Sequence, residues 1–300
     1  MAGEKAPEDY SPKLTEECKQ ALALLLSGFG DWTKSIVLVG GLPPELLKAK
    51  AAKPQEYVGT GDVDLVLNLE LIADMEAYST IERVLIAKEF RPLSEGGKAW
   101  QWEFKAPSGM MIRIDFLADL AGEEGAKVIT IPEHGKLAVC NIPHSSIVFD
   151  HLETAAIEVE LPNDGGYIKI DIRYADIVGF TVLKILAFRN RGEAKDAHGL
   201  IFSLENCGLT IPEIAERFVS ALQGRHSEVI GAALGMMADS FADEEGRAGY
   251  ENHGPAAAAG FERLVYREAR ILRQRHIAGV MNELLQEINQ RAELTANALN

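Results

Sequence analysis

The chain has little of what would tie it to an oxidising compartment, a membrane or a polyanion. Its three cysteines, Cys18, Cys140 and Cys207, are odd in number, far apart and in no Cys-x-x-Cys pair, which argues against both a disulfide framework and a thiolate zinc site. No uncharged apolar run is long enough to span a bilayer, and residues 1–12 are polar and acidic without the apolar core of a signal peptide. The expectation is a cytoplasmic protein with no membrane contact. Positive charge is also short: 30 Lys and Arg stand against 45 Asp and Glu, a formal net charge of −15. Bulk electrostatics will not bring nucleic acid to such a chain, because affinity for phosphates comes from counterion release at basic patches. One local basic stretch exists, at Arg263, Arg267, Arg270, Arg273, Arg275 and His276. It reads either as a nucleic-acid contact or, more commonly for such runs, as a solvated helix face with Glu262 and Glu268 as partners.

What is present is enough apolar material, 47% of 300 residues, for one large or two modest domains. Apolar spacing predicts a helix over 13–29. A short β-branched strand over 36–39 follows, closed by Gly40-Gly41, and Pro43-Pro44-Glu45 suits a helix start. After an exposed connection at 48–58 come a strand at 62–68 and an amphipathic helix at 70–90. Two strands at 99–104 and 110–117 flank the turn Pro107-Ser108-Gly109. A strand at 128–131 precedes a hairpin at 155–161 and 167–172 around an Asp-Gly turn. Helices are then expected at 176–189, 194–204, 211–222, 227–242 and 260–291, with a polar, Gly-rich loop at 243–255. The fold class expected is α/β (α+β): residues 1–173 form a mixed sheet with flanking helices, and residues 174–300 a helical domain.

Three carboxylates stand out. In a strand, Asp62 and Asp64 project from one face while Val63 and Leu65 take the other. Carboxylates side by side repel unless a cation neutralises them, and hard oxygen ligands suit Mg²⁺. In the later strand Ile112, Ile114 and Phe116 face one way, and Arg113, Asp115 and Leu117 the other, so an acid lies in an apolar strand. Each feature also has a plain structural reading. Gly40-Gly41 makes a turn, Asp62 caps a strand entrance, Asp115 pairs with Arg113, Lys184 snorkels, and Asp196 caps a helix N-terminus. His134, His144, His151 and His198 are scattered and read as surface or core residues. Trp100 and Trp102 read as core packing.

Gly40-Gly41, the run Thr60-Gly61-Asp62-Val63-Asp64-Leu65, and Asp115 together resemble the nucleotidyltransferase superfamily, whose pattern is a Gly-Gly or Gly-Ser turn, a paired Asp-x-Asp and a third carboxylate from a neighbouring strand. The stretch from Ala175 to Leu200, with Lys184, Arg189 or Arg191, and Lys195-Asp196, is similar to the helical segment of AbiEii-type nucleotidyltransferases, the toxin partners of abortive-infection and toxin–antitoxin systems. Gly199 departs from that pattern, which has an acidic residue there. Leu42-Pro43-Pro44 replaces the family's small residues, and the loop to Asp62 is long. The likeness covers roughly residues 35–204.

The resemblance implies Mg²⁺ held by Asp62, Asp64 and Asp115, with Asp115 as base or acceptor-positioning group. It implies NTP phosphates held at Gly40, Gly41 and the following helix start, with Thr60 and Asp196 on the nucleotide, and Lys184 compensating triphosphate charge or oriented by Asp196. The acceptor would be a hydroxyl on tRNA or a protein, with an antitoxin-like protein as neutralising partner. Alternatives are a small cationic acceptor, as in aminoglycoside-modifying relatives, which the acidic balance suits, and a non-catalytic binding protein on the same fold, which Gly199 motivates.

Overall fold

Four consecutive aliphatic residues form β1 (Ile36–Val39), and all four are buried, as expected of a strand covered on both faces. It lies inside a mixed sheet. Antiparallel to it runs β2 (Asp62–Leu67), and parallel to β2 runs β5 (Met111–Ala118). Beyond β5 lie β4 (Gln101–Lys105) and β3 (Arg91–Pro92), while β9 (Tyr167–Ala175) and β8 (Leu152–Glu160) extend the other side. The pair β6 (Val128–Thr130) and β7 (Ala138–Asn141) attaches to the end of β5, giving a sheet of nine strands among the described residues. The structure, a computed structural model, describes residues 10–68, 75–93, 99–120, 127–130, 137–162 and 165–298. The first half of the helix expected at 70–90 and the turn of the hairpin therefore lie partly outside the described residues; the described helix is α3 (Met75–Ala87).

This sheet belongs to one of two compact units, formed by Tyr10–Pro43 and Val58–Asp176. Its leading helix, α1 (Pro12–Leu26), starts at Ser11, whose hydroxyl accepts from the Leu14 N–H at 3.1 Å, and has Pro12 at a position where no N–H is needed. The Cys18, Ala21, Leu22 and Leu25 side of α1 is fully buried, and the helix packs on β2, β5, β8 and β9. One face of the sheet holds Trp102 and Phe104 of β4 with Ile112, Ile114 and Phe116 of β5, all buried, so Trp102 is core as its alternation indicates, while Trp100, just before β4, is half-buried. Strand β3 was not expected. It is two residues at the sheet edge, where Pro92 removes no needed ladder donor.

The second unit comprises Pro44–Tyr57 and Ile177–Asn300, apart from the first nine residues. It holds α4 (Ile177–Arg191), α5 (Ala194–Asn206), α6 (Ile211–Ala221), α7 (Ser227–Phe241), α8 (His253–Phe261) and α9 (Arg267–Ala298), together with the short α2 (Pro43–Lys48). A capping box starts α6: the Glu213 carboxylate accepts from both the Thr210 N–H and hydroxyl at 2.7 Å. The single helix expected at 260–291 is instead two. Arg263, at φ 49°, breaks the chain between α8 and α9. Helix α8 begins inside the expected loop because Pro255 falls in its first turn, where proline is tolerated, and an alanine run follows. The stretch from 49 to 56 is mostly exposed, as expected, but Tyr57 is buried, its ring against Phe202 and His198. Among the described residues no helix is long and apolar enough to cross a membrane.

Candidate functional site

The register of β2 and β5 gathers the acidic residues. Asp64 lies directly beside Asp115, and Asp62 directly beside Arg113, across a parallel pair. Neighbouring strands run about 5 Å apart and paired residues share a face, so Asp62, Asp64, Arg113 and Asp115 all project from the same side. Gln101 of β4 is registered with Asp115 and joins them. Four of these five residues are charged, on strands whose other face is apolar core.

The turn after β1 closes over this cluster. Val39 is registered with Asp64, and Gly40 follows at φ 74°, a conformation that L side chains rarely adopt. A Cβ at Gly40 would sit 1.8 Å from Oδ2 of Asp64. The glycine is therefore required twice, by its backbone angle and by the carboxylate lying against it. Thr60, fully buried, donates its hydroxyl to Oδ1 of Asp62 at 2.7 Å, while its own N–H donates to the Thr15 hydroxyl. It holds Asp62 in place. The next helix offers phosphates little: α2 has six residues, and Pro43 and Pro44 at its start have no N–H to donate. Its acidic residue, Glu45, pairs with Lys48 at 2.8 Å.

Arg113 is the cation of the cluster. Its Nη2 donates to Oδ2 of Asp62 at 2.8 Å, and its Nε lies 2.9 Å from Oδ1 of Asp115. The structural ion pair foreseen as an alternative for Asp115 is thus present, and it extends to Asp62. Even so, Asp115 is pushed up to about 6. Burial raises it most; Arg113 and the amide of Gln101, 3.3 Å from both carboxylate oxygens, pull the other way, and Asp62 adds to the rise. Arg113 itself is shifted up, since the attraction of Asp115, Asp62 and Asp64 outweighs its burial. Among the described residues, no group of three or more His, Cys, Asp or Glu is arranged to hold a metal ion as it stands. The donor set nonetheless suits Mg²⁺ in kind: hard carboxylate oxygens on one face, two of them already bridged by a positive charge.

In the helical unit, Lys184 and Asp196 meet. Lys184 is buried on α4 and donates to Oδ1 of Asp196 at 2.8 Å; Arg191, at the end of α4, donates to both Asp196 oxygens at 2.6 and 2.9 Å. Lys184 is therefore paired rather than snorkelling. Asp196 lies within the first turn of α5, where Glu193 holds the N-cap position, so it is not a cap. Its pKa falls to about 2: burial opposes the shift, and the two cations overcome it. Gly199 lies one turn further along α5. A Cβ there would meet the Tyr57 hydroxyl at 3.3 Å and Cε of Lys184 at 3.7 Å. The space beside the acidic position of the family pattern is taken by a tyrosine from the 44–57 segment.

Of the sheet cluster, Gln101 has no role in the sequence reading, and Arg113 has only that of a structural partner for Asp115. The available signal was alternation: both sit on the polar face of strands whose apolar faces are plain. Of the C-terminal basic stretch, Arg273 is half-buried and bound between Glu205, at 2.6 and 2.8 Å, and Glu262, at 2.9 and 3.0 Å; Glu262 is one of the two partners expected from sequence, and Glu205 is not. Arg263, Arg267, Arg270 and Arg275 are exposed. Glu262 is lowered to about 2, against the effect of burial, by His198 and Arg273. His198, Glu205, Glu262 and Arg273 border a concavity of about 650 Å³ in the helical unit, lined also by Phe202, Thr210 and Val280.

No family model and no curated protein matches the sequence. Among solved structures, the crystal structure of JHP933 from Helicobacter pylori superposes with a TM-score of 0.42 at 10% identity, covering 97% of this chain and 99% of that one. A likeness that distant carries no argument about either fold or function.

Proposed function

We propose that the chain is a Mg²⁺-dependent nucleotidyltransferase that moves a nucleoside monophosphate from an NTP to a hydroxyl acceptor. The observation that supports it best is the side-by-side placement of Asp64 and Asp115 on parallel strands, with Asp62 on the same face and Gly40 closing against Asp64. Asp62, Asp64 and Asp115 would hold the metal. When bound, Mg²⁺ would supply charge neutralisation for the phosphates and activation of the acceptor oxygen. The chain's own groups do the remaining work. Thr60 fixes Asp62, Asp115 takes the acceptor proton or holds the acceptor, and the N–H groups of Gly40 and Gly41 meet phosphate oxygens. Lys184 and Asp196 belong to the helical unit, and a part for them in holding triphosphate charge is what the family resemblance implies.

By the family resemblance the enzyme is toxin-like, with tRNA or a protein as acceptor and an antitoxin-like protein as partner; its composition, rather than the resemblance, suits a cytoplasmic location. A second acceptor class, a small cationic molecule, is favoured by the net charge of −15. Incubation with each labelled NTP, Mg²⁺, and either total tRNA, protein extract or aminoglycosides separates these. Label in one acceptor class identifies it. Absence of pyrophosphate release with every NTP and acceptor would overturn the enzyme reading and leave a binding protein.

A further inference from the structure

Arg113 has no task in the proposed reaction, yet it contacts two of the three carboxylates. It lies two residues before Asp115 on β5 and directly beside Asp62 of β2, and it touches both carboxylates within 3 Å. Its side chain is 40% exposed, against 21% for Asp62 and 6% for Asp115. Arg113 as a whole is thus more open to solvent than either acid it contacts, although its Nε is buried. A planar fork can bridge two carboxylates in a way that a lysine point charge cannot. The oxygens it holds, Oδ2 of Asp62 and Oδ1 of Asp115, are lone-pair donors that a divalent ion also needs, and one oxygen cannot serve both at full strength.

We propose that Arg113 is a resident counter-cation: it neutralises Asp62 and Asp115 in the metal-free protein and must release them before a divalent ion binds, so that it sets the metal affinity of the site. The inference rests on the assignment of Asp62, Asp64 and Asp115 as metal ligands. It accounts for an arginine at a strand position where a small polar residue would satisfy the alternation equally well. Release costs the two charged contacts, while binding gains a doubly charged ion in place of a single one. Removing Arg113 leaves the acids repelling one another and removes the competitor, and both effects favour the metal.

The test measures free Mn²⁺ by electron paramagnetic resonance during titration of the full-length, metal-free protein, with no nucleotide present. Arg113→Gln is expected to bind Mn²⁺ at least about tenfold more tightly than the parent, as the loss of a charged hydrogen bond implies. Without metal its melting temperature should fall, and Mn²⁺ should raise it by more than in the parent. Arg113→Lys, which keeps one charge without the fork, should lie between the two. Should Arg113→Gln fail to fold by circular dichroism, the lysine variant decides alone, with tighter binding expected. Equal or weaker Mn²⁺ binding in the variants, with the parent binding normally, would overturn the proposal and leave the metal assignment standing. If neither the parent nor any variant bound Mn²⁺, the metal assignment would fall, and this inference with it.

Discussion

Two buried aspartates meet opposite electrostatic fates. In the helical unit one carboxylate, Asp196, receives two cations, Lys184 and Arg191, and is driven down to about 2. In the sheet unit one cation, Arg113, bridges two carboxylates with a third on the same face, and Asp115 is driven up to about 6. Both aspartates are desolvated, so burial alone does not distinguish them; the local ratio of charges does. The first arrangement is complete and stabilises the fold. The second sets one arginine between two buried or half-buried carboxylates, and Asp115 is left easier to protonate than an ordinary aspartate.

The largest effects should come from the sheet cluster. Asp62→Ala and Asp64→Ala are each expected to lower nucleotidyl transfer by about 10³-fold or more, since they remove the groups that position the charge-stabilising ion. Circular dichroism should be unchanged. Retained transfer in either variant would remove that residue from the metal site and erase the contrast with Asp196.

Next in size is the cost of breaking the complete cluster. Asp196→Asn leaves the Lys184 ammonium buried without its counter-charge and should destabilise the helical unit by about 3 kcal/mol in urea unfolding. The same change at Asp115 should be near neutral or stabilising at pH 7, because that carboxylate is ionised at a disadvantage.

The two aspartates should also give opposite pH dependence. Asp196 has a folded pKa below its ordinary 3.8, so its contribution is present above about pH 4 and is lost as pH falls towards 2. Glu262, lowered from 4.5 to about 2, acts in the same direction. Asp115 has a folded pKa above 3.8; its contribution is present below about pH 4 and is lost as pH rises through 6. Melting temperatures across pH 3–7 check this. The advantage of Asp115→Asn over the parent should grow between pH 4 and 6, whereas the deficit of Asp196→Asn should shrink below pH 4.

A smaller effect is expected at the turn. Gly40→Ala imposes a side chain at φ 74° and drives a methyl into the Asp64 carboxylate. A loss of about 1–3 kcal/mol is expected, with metal affinity reduced as Asp64 is displaced. An unchanged melting temperature would mean that the turn does not bear on Asp64.

How far the sequence foretold these clusters follows from the range of the interactions involved. Period-two alternation is local, so the shared face of Asp62 with Asp64, and of Arg113 with Asp115, could be read from neighbours alone. Pairing between β2 and β5 is not local, so nothing in the chain's order announced that Arg113 would lie beside Asp62, whereas Gln101 opposite Asp115 follows from a hairpin centred on the turn at 107–109. The helical segments from 177 to 241 were legible because each carries its own periodicity and punctuation. The break at Arg263 was not, because an arginine in the left-handed region follows from packing rather than from its own preference. Tyr57 illustrates the same limit: an exposed connection ends in a buried ring that fills the space beside Gly199, and only the folded chain brings them together.

The contrast between the two clusters reduces to one measurement, calorimetric titration of MgCl₂ into the metal-free full-length protein, its Asp64→Asn variant and its Lys184→Met variant. If the sheet cluster is the cation site, the parent and Lys184→Met bind Mg²⁺ and Asp64→Asn does not. Binding that survives in Asp64→Asn, or no binding in the parent, would contradict the account.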